Sequence, residues 1–167
     1  EAMHFLDGFG HADGRFRFKP DWAKVGKDAV HMPAMPGHAA IIDAADEARP
    51  FRLVAAPART FLNSSFTETP GSQAREVRPR VLIHPDGCVR LALVAGVRAP
   101  RGSNRGSVVV YVRPFDGVQP DVVVVEGIWP NGAFEEGRGI NTLVSADPGP
   151  PHGGAVFHDT AIWIRRA

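Results

Sequence analysis

The chain has 167 residues, of which 44% are apolar, the size and composition of one globular domain with an appendage rather than of a disordered segment. Its 19 Lys and Arg nearly balance 18 Asp and Glu, so it is not built as a nucleic-acid binder, whose affinity rests on neutralising phosphates. A single cysteine, Cys88, excludes a disulfide framework and any multi-cysteine metal site, and no apolar run nears the roughly 20 residues of a membrane segment.

Residues 1–50 read as a loop-rich arm, because "DWAKVGKDAVHMPAMPGH" has little periodicity and much Pro and Gly. The chain starts without Met and "EAMHFLDGFG" does not resemble an export signal, so the arm is expected to continue from a preceding domain. Within the arm, Arg15 to Phe18 alternates in charge and predicts a short strand ended by Pro20. Residues 51–167 then carry the domain proper. "FRLVAA", Phe51 to Ala56, is the first core strand. It leads into "FLNSSF", an amide and two hydroxyls fenced by Phe61, Leu62 and Phe66. Such a fence implies partial burial, and buried polar groups need partners. "TETPGSQAREVRPR" reads as a polar connection.

A strand at Arg80–Ile83 is stopped by Pro85. "PDGCVRLALVAGV" predicts a helix with Val89, Ala92 and Leu93 on one face, Gly96 ending it, and Cys88 as a small packed residue. Ser107 to Arg113 is the strongest strand, and the four valines of "PDVVVVEGIW" predict another, covered on both faces. Glycine-rich sequence follows, in which Ile128, Ile140, Leu143 and Val144 imply an ordered, half-buried loop. A last strand runs over Ala161–Ile164. Several short strands with one or two short helices favour a small closed β-barrel, which leaves no exposed edges.

The chemistry concentrates in Gly127 to Gly154, where Trp129, Asn131, Asn141, Thr142 and Ser145 sit among glycines. Glycines let the backbone approach a ligand, and amides offer donors and an acceptor to the edge of a heterocycle. The seven histidines contain no pair at helical metal spacing. Ser64, Ser65, His158 and Asp159 lack the elbow motif of a serine hydrolase. Glu135 and Glu136 read as solvated, and "GSNRG" reads as a turn rather than a phosphate loop. Composition and spacing leave three readings open: a cofactor-binding domain, a docking module without cofactor, and a small self-processing enzyme using a Gly-Ser serine.

Taken in order, "FRLVAAPARTFLNSSFTETP", "RPRVLIHPDG", "RGSVVVYVRPFDGVQPDVVVVEGIWPN" and "GINTLVSADPGPPHGGAVFHDTAIWIRR" resemble the C-terminal domain of molybdopterin oxidoreductases of the dimethyl sulfoxide reductase and formate dehydrogenase type. "FLDGFGHADGRFRF" is similar to the stretch preceding that domain. The resemblance implies a double-psi β-barrel of about six strands and a fragment that binds molybdopterin guanine dinucleotide, as bis-MGD, with molybdenum or tungsten held by other domains of the parent chain. By the same resemblance Thr60, Asn63, Ser64, Ser65, Trp129, Asn131, Gly139, Asn141, Thr142 and His158 face or adjoin the cofactor, while catalytic and metal-ligating residues lie elsewhere. The isolated fragment is expected to be inactive. The family's acidic turn after His-Pro is replaced by Ala95 and Val97, and the compartment and substrate stay open.

Overall fold

The computed structural model describes residues 4–19, 21, 24, 34–35, 37, 43–149 and 154–167. The chain forms two compact units, Glu1–Ala39 with Gly149–Gly154, and Ala40–Pro148 with Ala155–Ala167. Among the described residues no helix is long and apolar enough to cross a membrane.

In the larger unit six strands close into a barrel: β1 (Phe51–Ala56), β2 (Arg80–Ile83), β3 (Arg98–Gly102), β4 (Ser107–Pro114), β5 (Val122–Glu126) and β8 (Thr160–Ile164). Around the barrel the order is β1-β5-β2-β4-β3-β8. β1 pairs with β5 and β2 with β4 in parallel, and the remaining neighbours are antiparallel. Parallel neighbours cannot be joined by a hairpin. The connections are therefore long, and they carry α1 (Pro70–Glu76), α2 (Pro85–Arg90) and the ligand-like loops. Two parallel pairs set among antiparallel ones are the pairing of a double-psi barrel, the fold that the sequence resemblance implied. The short β6 (Pro148–Gly149) and β7 (Gly154–Ala155) form a separate two-stranded sheet.

Alternation along the strands fills the interior. Leu53, Val81, Ile83, Val110, Val123, Val125 and Ile162 are fully buried, each burial worth about 1.5–3 kcal/mol. The barrel closes where β3 meets β8 over only two pairs, Arg101↔Ile164 and Gly102↔Trp163. Glycine is required there. A Cβ at Gly102 would lie 2.5 Å from the Trp163 ring and 2.6 Å from the Gly106 carbonyl.

Five local expectations are corrected. Arg15–Phe18 forms no strand: among the described residues it has no ladder partner, and Phe5, Phe9, Phe16 and Phe18 contact one another ring to ring instead. Pro20, His31, His38 and His152 lie outside the described residues. The β5 valines are not covered on both faces, since Val123 and Val125 point inward while Val122 and Val124 are half-exposed. α2 stops at Arg90, because Ala92 adopts φ +50°. Its buried face is Gly87 and Cys88, with Val89 outside. The polar connection contains α1, capped by the Thr69 side chain accepting from Ser72 N–H, with Pro70 in its first turn. β3, "RAPRG", had no strand signal, since its two arginines and Pro100 disfavour one.

Candidate functional site

At one end of the barrel the parallel strands β1 and β5 finish side by side, with Ala56 opposite Glu126. β8 enters there from the opposite direction, Leu53 pairing Thr160. Segments 57–66, 127–145 and 155–159 therefore crowd one mouth. They enclose a cleft of about 500 Å³, within the size range of small-molecule sites. Its walls are apolar: Ala56, Ile128, Ile140, Val144 and Phe157. Its polar groups are Asn63, Asn141, Ser145 and His158. Among the described residues, neither a carboxylate nor a guanidinium lines it.

Each polar group is held by local chemistry. Leu62 and Ser65 exchange backbone hydrogen bonds of 3.2 and 2.8 Å, which turns the chain sharply at Asn63. Asn63 adopts φ +50°, a left-handed conformation that asparagine tolerates better than most residues. Phe61 anchors this turn. It is buried, meets the Trp129 ring edge-on at 5.2 Å, and lies where any Cβ on Gly127 (φ +80°) would come within 2.2 Å of it. Leu62, Ser64, Ser65 and Phe66 are exposed. The expected fence is thus corrected: only Phe61 turns inward, and Asn63 with the two serines is open to water.

The opposite wall starts from a single 3-10 turn, Ile140–Thr142. Ile140 and Leu143 are buried and pin it, leaving Asn141 exposed at the cleft. Asn131 braces the turn from outside, its Oδ1 accepting from Gly139 N–H at 3.0 Å. Thr142 points away from the cleft and packs over Gly106, where a Cβ would approach its Cγ2 to 2.7 Å. Ser145 donates to Asp147 Oδ2 at 2.7 Å and accepts from Asp147 N–H. Arg105 lies 3.8 Å from Asp147 and grips Asp43 with two bonds of 2.9 and 3.0 Å. The Asp43 backbone carbonyl in turn accepts from Ala161 N–H on β8.

On the third side, Asp159 N–H bonds the Leu53 carbonyl at 3.0 Å, and its carboxylate pairs with the Arg52 guanidinium. Asp159 has φ +63°. This kink presents Phe157 and His158 at the mouth, their rings 4.5 Å apart. An aspartate occupied by arginine does not serve His158 as a catalytic partner.

The structure thus brings Asn63, Asn141 and His158 together and leaves the other sequence candidates off the cleft lining. Ser64 and Ser65 lie on the exposed turn beside Asn63. Thr60 Oγ1 donates to Glu76 at 2.7 Å, and Glu76 also meets Arg80. Trp129 is buried and donates from Nε1 to the Glu126 carbonyl. Asn131, Gly139 and Thr142 support the 140–142 turn. Phe157 was missed, its only signal being adjacency to His158. Ser145 was legible as a loop hydroxyl but not as part of the lining.

Cys88 is buried, and burial raises its thiol pKa, which disfavours the thiolate that a nucleophile needs. Glu135 is not simply solvated. Arg98 and the Tyr111 hydroxyl both bond it, and they hold its carboxyl below the usual range. Among the described residues no three His, Cys, Asp or Glu are grouped to hold a metal.

A neutral cleft with apolar walls and two amides fits the flat, hydrogen-bonding edge of a pterin or guanine. It does not match a phosphate's charge. The comparisons with known proteins agree with that chemistry. A family model described as "Molydopterin dinucleotide binding domain" matches residues 51–161. The chain is 27% identical over 137 residues to a probable oxidoreductase, YoaE, of Bacillus subtilis (strain 168), covering 81% of this chain and 19% of that protein. It is 25% identical over 179 residues to a putative catalytic subunit of dimethyl sulfoxide reductase from Halobacterium salinarum, covering 99% and 21%. The chain therefore spans about a fifth of the length of these curated relatives. Acetylene hydratase from Pelobacter acetylenicus shares the fold with a TM-score of 0.73 at 14% identity, over 96% of this chain and 24% of that one. With the family model covering most of the barrel unit, this chain belongs to the molybdopterin dinucleotide-binding domain family.

Proposed function

We propose that the cleft at the ends of β1 and β5 takes the heterocyclic part of a molybdopterin guanine dinucleotide, in a chain that forms one domain of a larger molybdenum- or tungsten-dependent oxidoreductase. The observation that carries this is the convergence of Asn63, Asn141 and His158, from three separate segments, on an otherwise apolar cleft. Asn63 and Asn141 each offer a donor and an acceptor to a ring edge, and His158 adds an imidazole. Ser64 and Ser65, exposed beside Asn63, extend the polar rim. Thr60, Trp129, Asn131, Gly139 and Thr142 act through the loops they hold. When bound, the cofactor supplies redox chemistry through its metal; the residues of this chain bind and orient it.

In this proposal residues 1–50 are an arm leading from a preceding domain and residues 51–167 are the binding domain. The remaining domains supply the metal ligand and select the substrate. Asn141→Ala in the cofactor-loaded protein is the test. Loss of one or two neutral hydrogen bonds, at about 0.5–1.5 kcal/mol each, should weaken cofactor retention by about 2- to 100-fold. An exposed side chain leaves melting within about 0.5 kcal/mol of the parent. Normal retention with an earlier melt would make Asn141 a structural prop and defeat the assignment.

A further inference from the structure

Of the four asparagines in the chain, only Asn131 is followed by glycine. Glycine has no side chain to keep its backbone nitrogen away from the preceding amide carbon, so Asn-Gly is the pair in which that nitrogen reaches the carbon most readily. Both residues are exposed, in a single 3-10 turn, Asn131–Ala133, that has no side-chain cap. Turns this short open locally at little cost.

The turn leaves the nitrogen free to attack. Gly132 is its second residue, so the N–H has no partner inside the turn, and among the described residues it bonds nothing outside it. The Asn131 side-chain nitrogen, Nδ2, is likewise without a hydrogen bond among the described residues. Oδ1 alone is held, by Gly139 N–H at 3.0 Å. A backbone N–H on the oxygen of an amide under attack stabilises the negative charge that gathers there. Nucleophile and leaving group are therefore unrestrained, and the oxygen has its donor in place. Asn63, Asn104 and Asn141 precede Ser64, Arg105 and Thr142, whose side chains crowd the corresponding nitrogen.

We propose that Asn131 is a site of spontaneous deamidation. Gly132 N bonds to Asn131 Cγ as the Cγ–Nδ2 bond breaks, and Nδ2 leaves as ammonia with the Gly132 proton. Water, the only co-reactant, then opens the cyclic imide at either carbonyl and leaves aspartate or isoaspartate at that position. Aspartate keeps an oxygen for Gly139 N–H. Isoaspartate adds a carbon to the backbone and draws the carboxylate away from that N–H, which releases the 140–142 turn. Because the turn presents Asn141, the modification loosens one wall of the cleft.

Ageing of the full chain at mildly alkaline pH, where the backbone nitrogen ionises more readily, followed by peptide mass mapping, tests this. Asn131 should gain the mass of an amide-to-carboxyl change about tenfold faster than Asn63, Asn104 or Asn141, and both products should appear. Gly132→Ala should slow the change by about tenfold. A Cβ there meets nothing within 4 Å and the position needs no positive φ, so the variant folds normally. Equal rates at the four asparagines, or an undiminished rate in Gly132→Ala, would overturn the site. Hydrogen exchange reads the consequence: the Gly139 amide should exchange faster in the isoaspartate fraction, and unchanged exchange there refutes the release of the turn.

Discussion

Asn131 and Asn141 belong to the same glycine-rich loop and carry the same side chain, yet the fold sets them in opposite directions. Asn131 is spent on Gly139 N–H; Asn141 faces the cleft. Asn131→Ala should therefore cost about 1 kcal/mol of stability, the usual value of such a bond. A denaturant melt that leaves its midpoint unmoved would contradict that brace. Cys88 gives a second prediction. Its buried thiol, with a raised pKa, should be alkylated in the folded chain only as fast as local opening allows, with labelling becoming rapid in denaturant. Arg101 gives a third, with a sign set by linkage. Its pKa is lowered on folding, so the unfolded chain holds the proton longer as pH rises past about 9. Arg101→Met, which removes a buried unpartnered charge, should melt above wild type, and that gap should narrow with increasing pH above that value. Residue types were legible in the sequence; their directions were not. Nothing in "FLNSSF" distinguishes Phe61, which turns inward, from Phe66, which stays in solvent, because the distinction comes from Trp129 and Gly127, distant in sequence.

At the scale of elements, the β-branched strands were legible because runs of valine are a local signal. The valines of β4 and β5 announced strands but not which of them face inward, and Val123→Ala, deep in β5, should destabilise the barrel by about 2 kcal/mol through the cavity it leaves. β3 was illegible because its strand character is imposed by β4 and β8 rather than by its own side chains. α1 was legible in principle: Thr69 followed by Pro70 is a helix start, outweighed in reading by the polar composition around it. The turns at the mouth depend on backbone that few residues tolerate. Gly127→Ala combines φ +80° with a 2.2 Å approach to Phe61. It should shift the Asn63 turn and destabilise the chain by more than about 1 kcal/mol. A melt within about 0.5 kcal/mol of wild type would show that Phe61 yields easily, and that it does not anchor the turn.

For the whole molecule, closure is what brings segments from three distant parts of the sequence to one mouth. The strand count and the ordered motifs made the barrel legible, since β-branched runs and loop signals are local. The membership of the cleft was legible only in part. Asn63, Asn141 and His158 stand in polar motifs, whereas the apolar walls and Phe157 are assigned by pairing between strands far apart in sequence. The same closure places a second, charged groove lined by Arg59, Glu76, Arg113 and Glu126 elsewhere on the barrel unit. With two arginines it is the natural rival for a ligand that carries phosphates. A crystal structure of the longer protein with its cofactor bound separates the two. The cleft assignment predicts a heterocycle of the dinucleotide between Asn63 and Asn141, with its edge within hydrogen-bonding distance of both amides. A dinucleotide lying along Arg59 and Arg113, with the cleft filled only by water, would contradict it.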